Sequence, residues 1–438
     1  MVASLFNRLV RKVVPPASEA ARAGRHARRA IDAWRELLSN RGEVSGAAVA
    51  HEALNAYHEL PLSARPAFFS LIASTFAPDP AALREACEAY IADASLPRLT
   101  RLQEIAASPL QKLCQRLNQT PGGTAALIDV RKHVLAGLAD HPDWKMIDAV
   151  LGRLFNSWFN RGFLTLQRID WHTPAFVLEK LIEYEAVHEI SGWRDLRRRL
   201  QNDRRCFAFF HPALPDEPLI FIEVALVKGI SSAIQPLLAL DAPVTAPEKA
   251  DTAVFYSITN CQPGLRGVSF GNLLIKQVAQ KLGEEFPRIR TFTTLSPIPG
   301  FTAWLARNIN DIQDQPTLDA IKALNTPDWP QQPALAASMK AVLVPLCAHY
   351  LINAMRDGEP ADPVARFHLG NGARAERLNW VADTSPRGLK NCAGMMVNYV
   401  YHLDQIENNH EVYVREHRVA ATHELRRLAR HCVLAART

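Results

Sequence analysis

The hydrophobic pattern of this 438-residue chain changes period near residue 200, and that change limits the folds open to it. Before it, apolar residues recur three and four apart, as in Trp34, Leu37 and Leu38, or Leu178, Leu181, Ile182 and Ala186. This spacing gives a helix one apolar face. The punctuation is helical too. Asp79-Pro80 precedes the run Ala81–Ala92, and Gly122-Gly123 marks a loop. Thr173-Pro174 sets a capping residue before a first-turn proline and predicts a helix through Glu189. Almost no strand alternation precedes residue 200. Residues 1–190 are therefore expected to form an all-α helical bundle, serving as scaffold or for oligomerisation.

Beyond the change, Cys206–Phe210, Leu219–Leu226 and Ala253–Ile258 are short runs rich in Phe, Ile and Val, bounded by Pro, Asp or Gly. These are strand signals. A helix is predicted over Asn272–Leu282, and a strand over Arg290–Leu295 that ends at Ser296-Pro297. Residues 302–357 read as helical, interrupted by Pro327, Pro330, Pro333 and Pro345. Phe367-His368-Leu369 and Met395–Tyr401 are expected in or beside further strands, and residues 416–435 as a terminal helix. The chain as a whole reads as α+β: a bundle, then an α/β domain over 191–438 with a helical insert.

Composition narrows the function classes. Fifty basic residues against 44 acidic ones leave a net charge of +6, too slight over this length to argue for nucleic acid and suited to a small anionic substrate. Seven cysteines, an odd number with no C-x-x-C pair, argue against a disulfide framework or a zinc ribbon and for a reducing compartment. No run reaches the roughly 18 consecutive apolar residues of a membrane span. Residues 1–30 carry Arg8, Arg11, Lys12, Arg22, Arg25, Arg28 and Arg29 against Glu19 alone. An amphipathic first helix accounts for that pattern, with a cytoplasmic protein as the expectation. A transit peptide accounts for it too, and would place the protein in the mitochondrial matrix.

Three segments carry candidate chemistry. In Gln262–Asn272, Gly264, Gly267 and Gly271 lie between a predicted strand and helix. Free amides at the helix start would make an anion site fit for a pyrophosphate, and Arg266 would add a bidentate cation. An ordinary strand-to-helix connection would carry the same glycines. Gly267-Val-Ser269-Phe-Gly271 also matches G-x-S-x-G, but an elbow needs the strand to run straight into it, and Pro263-Gly264 intervene. The second segment, Thr293–Phe301, holds Ser296 at a strand end between a strand and two prolines, Pro297 and Pro299. The third, Phe367–Gly372, places His368 between two apolar residues before an Asn-Gly turn, the setting of many core histidines. The other histidines form no recognised ligand motif, so no metal is expected. Glu183, Glu185 and His188 are expected on a solvated helix face.

Several blocks, in order, resemble the malonyl-CoA decarboxylase family: Ser157–Phe163, Asp170-Trp171, Glu179–His188, Leu295–Phe301, Phe367–Ala373, Asn379-Trp380 and Asn398-Tyr399. The resemblance implies an N-terminal helical domain followed by a catalytic domain of the GNAT acyltransferase fold that binds malonyl-CoA. It implies that Arg266, Gly267, Val268, Ser269, Phe270, Gly271 and Asn272 form the CoA turn, and that Ser296, His368 and Tyr401 are catalytic. Some members have an acidic residue where Ser269 stands, so any role of that acid is absent here or taken by another group.

The reaction so implied loses CO2 from malonyl-CoA through a thioester enolate and needs no cofactor or metal. His368, with an ordinary pKa of roughly 6.5, would donate the proton. Ser296 would hold the carboxylate or relay the proton. The partner is a small CoA thioester, with no nucleic acid and no membrane, and the chain is expected to be a homo-oligomer, with a tetramer as one arrangement. Three other readings use the same residues: a GNAT-type acyltransferase, a serine hydrolase acting through Ser269 with His368 as base, and a CoA-sensing adaptor without turnover.

Overall fold

The computed structural model describes residues 19–39, 43–268, 270 and 274–432. The basic segment 1–18 and the last six residues lie outside them. The chain separates into two compact units. The first takes the chain up to Phe163 together with Pro212–Pro215 and Gln262–Ser269, and the second takes the remainder.

The first unit is helical: α1 Glu19–Glu36, α2 Glu43–His58, α3 Arg65–Thr75, α4 Pro80–Ala92, α5 Leu96–Ala106, α6 Pro109–Asn118, α7 Gly123–Gly137 and α8 Lys145–Trp158. Helices α4 and α6 start where cap chemistry directs. Asp79 accepts from Ala81 N–H at 2.9 Å with Pro80 at the first helical position, and Ser108 accepts from Leu110 N–H ahead of α6. The core is aromatic. Trp34 meets Phe68 edge-on at 5.0 Å and donates its indole N–H to Ala53 O at 3.0 Å. Each large side chain so buried contributes about 1.5–3 kcal/mol.

The second unit contains, in order, β1 Thr165–Ile169, α9 Ala175–Tyr184, α10 Trp193–Arg199, β2 Arg204–Phe210, β3 Ile220–Val227, β4 Thr252–Asn260, α11 Leu274–Glu285, β5 Thr291–Thr294, β6 Ser296–Pro297, α12 Phe301–Asn308, α13 Gln315–Ala323, α14 Pro333–Ile352, α15 Pro363–Gly370, β7 Arg374–Asn379, α16 Pro386–Cys392, β8 Met396–Val400, α17 Ile406–Glu416 and α18 His423–Arg430. Among the described residues one sheet runs β1-β2-β3-β4-β5-β8-β6, with β7 also on β8. Every pairing is antiparallel except β4 with β5, which α11 joins as a crossover. Strands β2 and β8 are buried throughout, and β3 up to its last residue, because helices or loops cover both faces. One cluster packs Val177, Leu178 and Leu181 of α9 and Leu196 of α10 on Cys206, Ala208, Phe210 and Phe221.

Several sequence expectations change here. The second unit begins at Leu164, before the expected boundary at 190, because β1 pairs with β2 over five residues. As an edge strand β1 is mostly exposed and carries little alternation to read. Helix α9 ends at Tyr184, not Glu189. Glu185 turns extended, and its carboxylate folds back on the N–H groups of Val187 and His188 at 2.7 and 2.8 Å. Glu185 and His188 are thus buried and not on a solvated face, and Ser257 Oγ donates to Glu185 Oε2 at 2.7 Å. Burial pushes His188 down to about 4, against the opposing pull of Asp383.

In the helical insert, Pro345 lies inside α14 without ending it. That helix is long and apolar enough to cross a membrane, yet here it buries Met339, Leu343, Leu346, Cys347 and Leu351 within the unit. The expected terminal helix is two elements. His417, at φ +52°, ends α17, and Thr422 opens α18 by accepting from Leu425 N–H. The helix after the glycine segment is described from Leu274, its expected start at Asn272 lying outside the described residues. Cys87, Cys114, Cys206, Cys261, Cys347 and Cys392 are free thiols.

Candidate active site

Ser296 opens the two-residue strand β6, paired to Val397 of β8. Pro297, directly after it, holds its backbone extended. His368 was expected in or beside a strand and instead lies in the last turn of α15. The physical reason is Asp362-Pro363. The Asp362 carboxylate accepts from Val364 N–H and Ala365 N–H at 3.0 and 2.9 Å, Pro363 takes the first helical position, and Ala365, His368 and Leu369 form the buried side. This is the same Asp-Pro start that opens α4 at Asp79-Pro80. Tyr401 directly follows β8, its N–H on Phe292 O at 2.8 Å.

The three side chains meet. Ser296 Oγ lies 3.1 Å from His368 Nε2, and Tyr401 Oη lies 2.8 Å from His368 Nδ1. They are 5, 3 and 2% exposed. The imidazole stacks on Tyr399 at 4.7 Å between ring centres. Burial pushes His368 down to about 3, so the ring is neutral at neutral pH. Burial likewise raises the Tyr401 phenol well above its usual range.

A further group was missed by sequence reasoning. Thr294, at the end of β5, accepts from Ser296 Oγ at 2.9 Å and from Tyr399 N–H at 3.1 Å. Its backbone carbonyl accepts from Asn398 Nδ2 at 2.7 Å, and Asn398 in turn accepts from Asn379 Nδ2 at 2.8 Å. These buried amides tie β7, β8 and the end of β5 together, so the serine is presented from a fixed frame. A threonine in a strand of four residues gives no sequence signal of such a role.

The glycine segment is partly described. Pro263–Leu265 is a short 3₁₀ turn, and β4 ends at Asn260, so no strand runs into Gly267–Gly271 as a nucleophile elbow requires. Gly264 has no room for a side chain. A Cβ there would lie 2.1 Å from Ile128 O, and its own carbonyl accepts from Arg131 Nη1 at 2.9 Å. Gly267 adopts φ +80°, Arg266 is exposed, and Val268 and Phe270 are buried, leaving backbone as what they could present. Ser269, Gly271 and Asn272 lie outside the described residues.

Fold and side chains together define a class: an α+β protein with a helical N-terminal unit and a sheet unit that buries a serine hydroxyl against a neutral imidazole and a tyrosine. Family models agree on which one. The malonyl-CoA decarboxylase C-terminal domain matches residues 162–437, and the corresponding N-terminal domain matches residues 76–159. A mitochondrial malonyl-CoA decarboxylase of Anser anser anser is 39% identical over 341 residues, covering 72% of this chain and 68% of the relative. That of Rattus norvegicus is 36% identical, covering 72% and 69%. Crystal structures of malonyl-CoA decarboxylases from Rhodopseudomonas palustris and Agrobacterium vitis superpose with TM-scores of 0.88 and 0.86 at 48 and 45% identity, each covering 92% of this chain and 99% of the other. The chain belongs to the malonyl-CoA decarboxylase family.

Proposed function

We propose that this chain is a malonyl-CoA decarboxylase, a carboxy-lyase that converts malonyl-CoA to acetyl-CoA and CO2. The observation that carries the proposal is the buried Ser296–His368–Tyr401 chain of hydrogen bonds in a member of this family. The chemistry fits those groups. The carboxylate of malonyl-CoA is β to a thioester carbonyl, so the electron pair of the breaking C–C bond passes into the carbonyl as CO2 departs. The thioester is itself the electron sink, and the reaction as proposed runs without a metal or another cofactor. The enolate of acetyl-CoA then takes one proton at carbon. A hydroxyl facing the enolate oxygen or the carboxylate orients the bond to be broken, and one such donor is typically worth about 3–4 kcal/mol. Ser296 takes that place, and His368 sustains its proton.

Two finer features belong to the same proposal. The sheet unit is read as GNAT-like, supported by antiparallel β2-β3-β4, the parallel β4–β5 pair and the crossover α11 following the glycine segment. The CoA pyrophosphate is assigned to Arg266–Asn272, supported by the exposed Arg266 and the left-handed Gly267. Self-association through the helical unit is proposed as well, where Leu62, Ile91 and Leu96 are exposed, and light scattering tests it.

The decisive assay supplies malonyl-CoA with no acyl acceptor. Release of CO2 and acetyl-CoA in equal amounts is expected. Turnover only when an amine or carrier protein is added would overturn the proposal in favour of an acyltransferase. Labelling of Ser269 by a fluorophosphonate would favour a hydrolase.

A further inference from the structure

Hydrogen-bond direction in the site follows from the Ser296–Thr294 contact, whose geometry makes Ser296 the donor. The Tyr399 amide is an obligate donor to Thr294 Oγ1, and Ser296 Oγ donates to the same oxygen. A hydroxyl has one proton. With that proton committed to Thr294, Ser296 can only accept from His368, so the 3.1 Å contact is Nε2–H to Oγ. A neutral imidazole carries one N–H. Nδ1 is therefore bare and accepts the Tyr401 hydroxyl at 2.8 Å. Every bond points one way: Tyr401 to His368 to Ser296 to Thr294.

We propose that Thr294 is a positioning residue that holds His368 as its Nε2–H tautomer, which arms the site as an acid toward Ser296 and withholds the base a serine nucleophile needs. The opposite direction, with Ser296 donating to a bare Nε2, is the arrangement of a hydrolase. When the enolate forms, Ser296 turns its proton from Thr294 to the enolate carbon, the Ser296–Thr294 hydrogen bond is given up and a C–H bond forms. The Nε2 proton passes to Oγ as the Tyr401 proton passes to Nδ1. Once acetyl-CoA leaves, the Nδ1 proton returns to Tyr401 and the Ser296 proton to Nε2 as Ser296 Oγ takes a proton from water, so one proton is taken from solvent for each CO2 released and the Nε2–H tautomer is restored. A thioester enolate is a far stronger base at carbon than an alkoxide, so the transfer to carbon runs downhill. The consequence for turnover rests on the decarboxylase reading; the tautomer does not.

The test is ¹⁵N NMR of the full chain labelled at histidine, with His368→Gln assigning the resonance, alongside steady-state kinetics with malonyl-CoA. Wild type is expected to show Nε2–H. Thr294→Val removes the acceptor at nearly constant volume, and is expected to move the proton toward Nδ1 and lower kcat about a hundredfold. KM should stay within about twofold. Thr294→Ser should restore both readouts. An Nδ1–H tautomer in wild type would overturn the proposal even if no variant folds. So would an unchanged tautomer in Thr294→Val, whatever its activity. If the tautomer responds as described but malonyl-CoA yields no CO2, the hydrogen-bond assignment stands and the decarboxylase reading falls.

Discussion

Asp362 and Gly300 join the two elements that carry Ser296 and His368: the Gly300 N–H donates to Asp362 Oδ2 at 3.4 Å, while Asp362 Oδ1 caps the helix of His368. Tyr350 Oη donates to the same Oδ2, also at 3.4 Å. Asp362 is fully buried, and burial raises its pKa against the lowering effect of these bonds. At Gly300 a Cβ would meet Tyr350 Oη at 2.1 Å, so the serine loop can approach only as glycine.

Asp362→Ala should therefore act on both structure and turnover. Loss of the cap alone costs about 1 kcal/mol. The Ser296–His368 distance then loses its tie, and kcat should fall further than the lost fraction of folded protein explains. Asp362→Asn keeps a cap acceptor and should recover most of the stability. Thermal melts paired with kcat at a temperature where all variants are folded check this. Unchanged kcat in Asp362→Ala would show the tie to be irrelevant to turnover.

Substitutions at the site and at the glycine turn should separate cleanly. Ser296→Ala and His368→Ala are each expected to lower kcat by about 10²–10⁴-fold while CoA still binds. Arg266→Ala should chiefly raise KM, by roughly tenfold or more for the loss of a charge-assisted hydrogen bond. Initial-rate kinetics and calorimetry with CoA give both numbers. A normal kcat in either site variant removes that residue from the mechanism, and an unchanged KM in Arg266→Ala removes the pyrophosphate assignment.

Acid should weaken the fold through His368. Its pKa is about 3 folded and roughly 6.5 unfolded, so the unfolded chain takes up the proton first. This contribution is complete above about pH 6.5 and is lost as pH falls toward 3, at up to about 1.4 kcal/mol per pH unit. His188, at about 4, adds in the same direction. Urea melts at pH 7 and pH 5 should show a shallower loss for His368→Gln than for wild type. Equal slopes would mean that His368 is not held neutral by burial.

Gly264→Ala tests the packing of the glycine segment within the helical unit. The new methyl would sit on Ile128 O, so the turn must shift or the helix must bend. A cost of about 1–3 kcal/mol is expected from such overpacking. Gly46→Ala, in open space on α2, serves as the control. Equal stability of the two variants would argue against the close approach.

Much of this protein is determined by local sequence. The change of hydrophobic period marks helices from strands because each element must turn one repeating face inward, and that repeat is written in consecutive residues. Asp79-Pro80 and Ser108-Pro109 start helices where they stand, since the cap and the first-turn proline act within four residues. The Ser296 and His368 blocks were legible as motifs, but their meeting was not.

Tertiary structure decided the rest. Glu185 looked like a surface residue until β4 brought Ser257 to its carboxylate. His368 sits 72 residues from Ser296, and its neutral state follows from burial that no neighbour in sequence supplies. Thr294 meets the Tyr399 amide only because β8 lies beside the end of β5 in the sheet. Periodicity and caps are properties of a few adjacent residues. Desolvation and hydrogen-bond direction belong to groups that only the folded chain brings together.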